Sequence, residues 1–188
     1  MKSLPIAIGI SNHHVHLTEN TYAQLFDEPI SVMRELSQPG EFAAEQTLTL
    51  TANGKTIEHV RVLGPFRAYN QVEISAYDAF LLGLKPPVRS SGDLECAATI
   101  TLKTAKASVT LPAAILAKRH VHLSAEQANQ LGITNGQKLS LKISGERSGT
   151  VDIYAKITDS GTFEAHLDMD DANAFLLKTG DPAELLLP

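Results

Sequence analysis

The tetrapeptide His-Val-His-Leu occurs twice in this chain, each time between an apolar run and a hydroxyl residue suited to start a helix. The first copy, His14-Val15-His16-Leu17, follows Ile8-Gly9-Ile10 and precedes Thr18. The second, His120-Val121-His122-Leu123, follows Ile115-Leu116-Ala117 and precedes Ser124. They stand 106 residues apart in a chain of 188, so a repeat of two similar halves is expected. Residues i and i+2 of a strand share a face. Each copy therefore presents two imidazoles side by side, with the valine turned away. Four of the seven histidines lie in these pairs, which favours metal binding over separate packed histidines.

The rest of the chain reads as strands. Thr47–Leu50 and Ile57–Leu63 flank Asn53-Gly54, a strong hairpin turn signal. Further strands are expected at Ala98–Leu102, Ser108–Leu111, Ala113–Ala117, Leu139–Ile143, Thr150–Ile157 and Phe163–Leu167. Short strands at this spacing predict barrels rather than a helix-covered parallel sheet. Helices are few. Ser124 with Gln127 has the form of a capping box, and Gly132 marks the stop. Equivalent starts are expected at Thr18 and over Ser75–Gly83, with a weaker one at Asp170–Gly180. The predicted fold is mainly β: two similar β-barrel domains with short capping helices. The domains are placed at 1–94 and 95–188, with strands free to cross between the halves.

Composition narrows the class. Hydrophobic residues make up 43% and charged residues 20%, the profile of a globular protein. A net charge of −5 argues against a general nucleic-acid binder. No apolar stretch approaches the roughly 20 residues that span a bilayer. The opening Met1-Lys2-Ser3-Leu4-Pro5 runs into a strand without the pattern of a signal peptide. One cysteine, Cys96, cannot form an intrachain disulfide and suits a reducing cytosol. It is expected to be a small buried thiol rather than a nucleophile.

Two imidazoles are too few for a firm metal site, so each pair needs a third ligand. His166 lies on the alternating segment Phe163–Asp168, where Glu164 and Asp168 share its face as alternative ligands or as orienting groups. Glu73, flanked by Val72 and Ile74, would be a buried carboxylate in need of a partner. His13 and His59 read as structural or surface residues. Arg61, Arg67 and the pair Lys118-Arg119 supply cations near the histidine motifs, and an arginine fork fits phosphate or carboxylate.

At this point the chain resembles the PduL family of phosphate acyltransferases. The resemblance is carried by Gly9–Leu17, Gln38–Thr47, Val60–Pro65, Gln71–Ser75, Ser91–Leu94, Ala117–His122 and His166–Ala174, in order over nearly the whole chain. It implies two β-barrel domains with a dinuclear zinc site between them, and transfer of an acyl group between coenzyme A and phosphate. By position, one zinc would take His14, His16 and Glu73, and the other His120, His122 and His166. Arg67 would hold phosphate, and Ser11, Arg61, Leu63 and Asn173 would contact coenzyme A. A homodimer is also implied. The family usually carries arginine where this chain has His13, and often Thr or Ser at Asn70. Members housed in bacterial microcompartments carry an amphipathic N-terminal targeting helix. None is evident before the first motif, so a cytoplasmic enzyme is expected, with acetyl-CoA beside propanoyl-CoA as substrate. The expected mechanism is direct transfer without an acyl-enzyme. The alternatives are a zinc-dependent hydrolase of thioesters or phosphoesters, and a non-catalytic barrel with structural metal sites.

Overall fold

The computed structural model describes residues 2–159 and 161–187. In chain order it runs β1 (Ser3–Ser11), β2 (His14–His16), α1 (Glu19–Leu25), β3 (Val32–Glu35), β4 (Phe42–Ala52), β5 (Lys55–Gly64), β6 (Gln71–Glu73), α2 (Ala76–Leu82), β7 (Val88–Arg89), β8 (Ala98–Lys103) and β9 (Ser108–Ala117). It continues with β10 (His120–Ser124), α3 (Ala125–Leu131), β11 (Lys138–Ile143), β12 (Gly149–Thr158), β13 (Glu164–Asp168), α4 (Met169–Phe175) and β14 (Pro182–Leu186). The expected segments Ser108–Leu111 and Ala113–Ala117 are one strand, continuous through Pro112. No helix among the described residues is long and apolar enough to cross a membrane.

The mainly-β, two-barrel expectation holds. One barrel closes in the order β1-β13-β10-β12-β11-β14. The other closes as β9-β6-β2-β5-β4-β8, with β3 added beside β4 and β7 beside β9. The two rings repeat the same alternation of parallel and antiparallel pairings. β13 and β6 lie parallel to their lead strands and antiparallel to the histidine strands. β12 and β5 lie parallel to those histidine strands.

The two compact units are His13–Ala117, and Met1–Asn12 together with Lys118–Pro188. The chain thus divides at 12/13 and 117/118, where the sequence suggested 94/95. The lead strands are the cause. β1 precedes β2 in sequence but pairs with β13 and β14, burying Ile6 and Ile8 in the core of their unit. β9 precedes β10 but pairs with β6 and β8, burying Ala113 and Ala114 in the other core. Each half of the sequence repeat lends its first strand to the opposite barrel, an exchange that periodicity cannot reveal.

Local chemistry accounts for the elements. On β11, Leu139, Leu141 and Ile143 are buried while Lys138, Ser140 and Lys142 point outward, the period of a half-buried strand. The β4–β5 turn has positive φ at Asn53 (51°) and Gly54 (74°), as a two-residue hairpin turn requires. Every helix starts with a capping side chain. Thr18, Ser75, Ser124 and Asp168 accept from the backbone N–H of Thr21, Asp78, Gln127 and Asp171. The segment expected at Asp170–Gly180 is shorter, because Leu176 turns left-handed (φ 57°) and ends α4.

Leu141 is fully buried in the β11 row of its barrel. Leu141→Ala should lower stability by about 2–5 kcal/mol, read from the urea unfolding midpoint.

Candidate metal centre

The ligand sets are built by strand register. In one unit His14 stands directly opposite Glu73, and His16 opposite Gln71. In the other His120 stands opposite His166, and His122 opposite Glu164. The third ligands Glu73 and His166 therefore occupy equivalent places, as do Gln71 and Glu164. In each triad every residue offers a ligand atom within 4.8 Å of the others. His14 Nε2 lies 3.5 Å from Glu73 Oε2. His120 Nε2 lies 3.1 Å from His122 Nε2. The rings of His120, His122 and His166 sit with centroids 4.6–5.2 Å apart.

These residues fit a zinc ion. Tetrahedral zinc with bonds of about 2.0–2.1 Å brings its nitrogen ligands to roughly 3.3 Å of one another, close to the spacing found. His122 is held neutral, its pKa pushed down to about 2 by burial and by the neighbouring His120, His166 and Lys156. A neutral imidazole keeps the lone pair that a metal needs. Its Nδ1 is buried and has no hydrogen-bond partner among the described residues. Three ligands per triad with no cysteine leave a coordination position open, the pattern of catalytic rather than structural zinc.

A layer of supporting groups fixes the third ligands. Gln71 is fully buried, and its Nε2 donates to Glu73 Oε1 (2.6 Å) and to Ser91 Oγ (2.9 Å). Gly92 N–H donates to Gln71 Oε1, which sets the orientation of the amide. Glu164 Oε2 lies 2.6 Å from His166 Nε2. The third ligand of one triad thus has an amide neighbour and that of the other a carboxylate. Gly9 stands opposite His166 on β1, and a Cβ there would come within 2.9 Å of both His166 and Glu164. The equivalent residue beside Glu73 is Ile115, so only the His166 triad requires a glycine.

The anion-binding candidates divide. Arg67 N–H donates to Leu17 O, tying the loop after β5 to the end of the first histidine motif. Its Nη2 donates to Glu41 Oε1, while Nε is buried without a hydrogen-bond partner among the described residues. Arg61 and Leu63 stand beside His14 and His16 on β5. Arg61 Nη1 also donates to the carbonyls of Ala44 and Glu45, so part of its fork is engaged in the fold. Ser11 is opposite Asp168 at the end of β1, and Asn173 is exposed on α4. His59 is exposed with φ 59°, and His13 Nδ1 contacts Asp78 Oδ2. Cys96 corrects an expectation: it is exposed, in a left-handed conformation (φ 59°), because it lies in the loop between β7 and β8 and not on a packed strand.

Some supporting residues were not legible. Gln71, Glu41 and Lys156 carry no signal as site residues until pairing places them. Lys156 stands opposite His122 on β12. Alternation at the end of that strand is the one hint, since Tyr154 and Lys156 share a face.

The comparisons with known proteins agree over most of the chain. Residues 7–178 match the family described as phosphate propanoyltransferase. A phosphate propanoyltransferase of Levilactobacillus brevis is 41% identical over 172 residues, covering 90% of this chain and 83% of the relative. Those of Limosilactobacillus reuteri and Salmonella typhimurium are each 39% identical, covering 90% and 93% of this chain and 81% and 85% of the relatives. With both strand-registered triads, His14–His16–Glu73 and His120–His122–His166, lying inside the matched span, the chain belongs to the phosphate propanoyltransferase family of acyltransferase enzymes.

Proposed function

We propose that this enzyme interconverts a short-chain acyl-CoA and phosphate with an acyl phosphate and CoA, the acyl group being propanoyl or acetyl, with one zinc on His14, His16 and Glu73 and another on His120, His122 and His166. The observation that carries the proposal is the pair of cysteine-free triads, each with three candidate ligands that would leave one tetrahedral position unfilled by protein. Zinc bound there supplies a Lewis acid for a departing thiolate and for a carbonyl oxygen.

The chain's own residues do the positioning. Phosphate binds Arg67, whose guanidinium has a buried Nε with no hydrogen-bond partner among the described residues and an Nη2 that donates to Glu41 Oε1. A phosphate oxygen attacks the thioester carbon, the C–O bond forms, the C–S bond breaks, and the sulfur leaves as thiolate. A thiol with a pKa of roughly 8.5 leaves more easily when its anion is stabilised. A substantial share of inorganic phosphate is already the dianion at neutral pH, so no strong general base is needed. Gln71 beside Glu73 and Glu164 beside His166 orient these two side chains. Ser11, Arg61, Leu63 and Asn173 are proposed contacts for coenzyme A. Cys96, in its exposed loop, is not used, and transfer is direct. An exposed free thiol supports a reducing compartment, the cytoplasm, and the family resemblance supports a homodimer.

The competing reading is a zinc hydrolase, in which water takes the place of phosphate. The deciding assay mixes propanoyl-CoA or acetyl-CoA with phosphate and follows thiol release and acyl phosphate together. Equal amounts, abolished by a chelator and restored by zinc, are expected. Thiol release that ignores phosphate would replace the transferase by the hydrolase.

Arg67→Ala should raise the KM for phosphate, with kcat lower by about 10²–10³ if the guanidinium also stabilises the transition state. Unchanged kinetics would remove Arg67 from the site. Cys96→Ser should retain full activity, and no acyl label should remain on protein incubated with acyl-CoA alone. An inactive Cys96→Ser enzyme would establish an acyl-enzyme instead.

A further inference from the structure

Each third ligand is followed by the same short arrangement. Two residues beyond Glu73 is the cap Ser75, and two beyond His166 is the cap Asp168. Three residues beyond each cap is an aspartate, Asp78 or Asp171, with a side chain only 13% or 12% exposed. Each aspartate reaches the residue immediately before a histidine pair. Arg119 donates twice to Asp171, Nε to Oδ2 and Nη2 to Oδ1, both at 2.7 Å. His13 Nδ1 lies 3.2 Å from Asp78 Oδ2, and that oxygen also accepts from Ser75 N–H.

The register gives these contacts a purpose. The first histidine of each pair faces the third ligand directly. A bond from the preceding residue to the helix just after that ligand closes a small loop: ligand strand, helix cap, side-chain strut, histidine strand. Sliding or twisting of one ligand strand against the other must stretch the strut. The two struts are unequal in kind. A bidentate, charge-assisted arginine–carboxylate pair is stronger and more directional than a single imidazole contact, and arginine cannot lose its charge.

The geometry points to Asp171 with Arg119, and Asp78 with His13, as positioning pairs for the two triads. The residue before each histidine pair sets how tightly its triad holds zinc. His13 leaves the His14–His16–Glu73 triad a weaker grip than an arginine would give. This rests on the zinc reading above. Groups just outside a ligand shell typically change metal affinity 10–100-fold, so changes of about tenfold are expected.

The test is a zinc titration of the full-length, metal-depleted protein against a chromophoric chelator, with circular dichroism to check folding. His16→Ala and His122→Ala each delete one binding step and so assign the two. His13→Arg should tighten the step lost in His16→Ala by about tenfold and leave the other unchanged. Arg119→His and Asp171→Asn should loosen the step lost in His122→Ala by about tenfold. Should Asp171→Asn fail to fold, the reciprocal exchanges at 13 and 119 still decide. Two intact binding steps, unmoved by both His13→Arg and Arg119→His, would overturn the strut inference while zinc binding stands. A wild-type protein that takes up no zinc in either step would overturn the zinc reading and the inference with it.

Discussion

Two antiparallel strand pairings underlie the two candidate triads, β2 with β6 in one unit and β10 with β13 in the other. Each sets a histidine directly across from its third ligand, Glu73 for His14 and His166 for His120. A slip of one residue in either pairing would turn that ligand to the opposite face and separate the set. Much of the surrounding structure holds this register. Buried Val15 and Val72 face each other in one pairing, and Val121 and Ala165 in the other. Capped helices follow at once on both sides, so neither strand can extend and shift. Barrel closure removes the free edges along which slippage starts.

On this shared frame the two triads carry different chemistry. One has a carboxylate as its third candidate ligand, bonded to an amide, and the other an imidazole beside a carboxylate. The room for the second arrangement comes from Gly9, where the first has Ile115. Equivalent backbone places thus tolerate unlike ligand sets because the neighbouring strand adjusts its volume. The same holds for the residue before each histidine pair, arginine in one unit and histidine in the other.

Cations stand beside the candidate ligands although the chain as a whole is acidic. Net charge is −5, yet Arg61 pairs along β5 with His14, and Lys156 along β12 with His122. Arg67 is tied to the end of the first histidine motif through Leu17. At His122 burial is the main cause of the depressed pKa, with His120, His166 and Lys156 adding to it.

Much of this was legible in the sequence. The doubled His-Val-His-Leu motif, the Asn53-Gly54 turn and the caps at Thr18, Ser75 and Ser124 are local signals, each set by residues within a few positions of one another. Strand alternation made Glu73 and His166 candidates, and their segments were correct to within a residue or two. Other features depended on contacts that no local pattern carries. The exchange of β1 and β9 between the barrels moved the division of the chain from 94/95 to 12/13 and 117/118. The buried Gln71 bracket, the Glu41–Arg67 pair and the Asp78 and Asp171 struts join residues from 2 to 65 positions apart. The sequence by itself determined which residue types were available and which face of a strand each would share, because backbone geometry imposes a period of two. Only the tertiary structure decided which strands are neighbours, and hence which carboxylate meets which imidazole, because strand pairing is a long-range choice made by burial of the whole core.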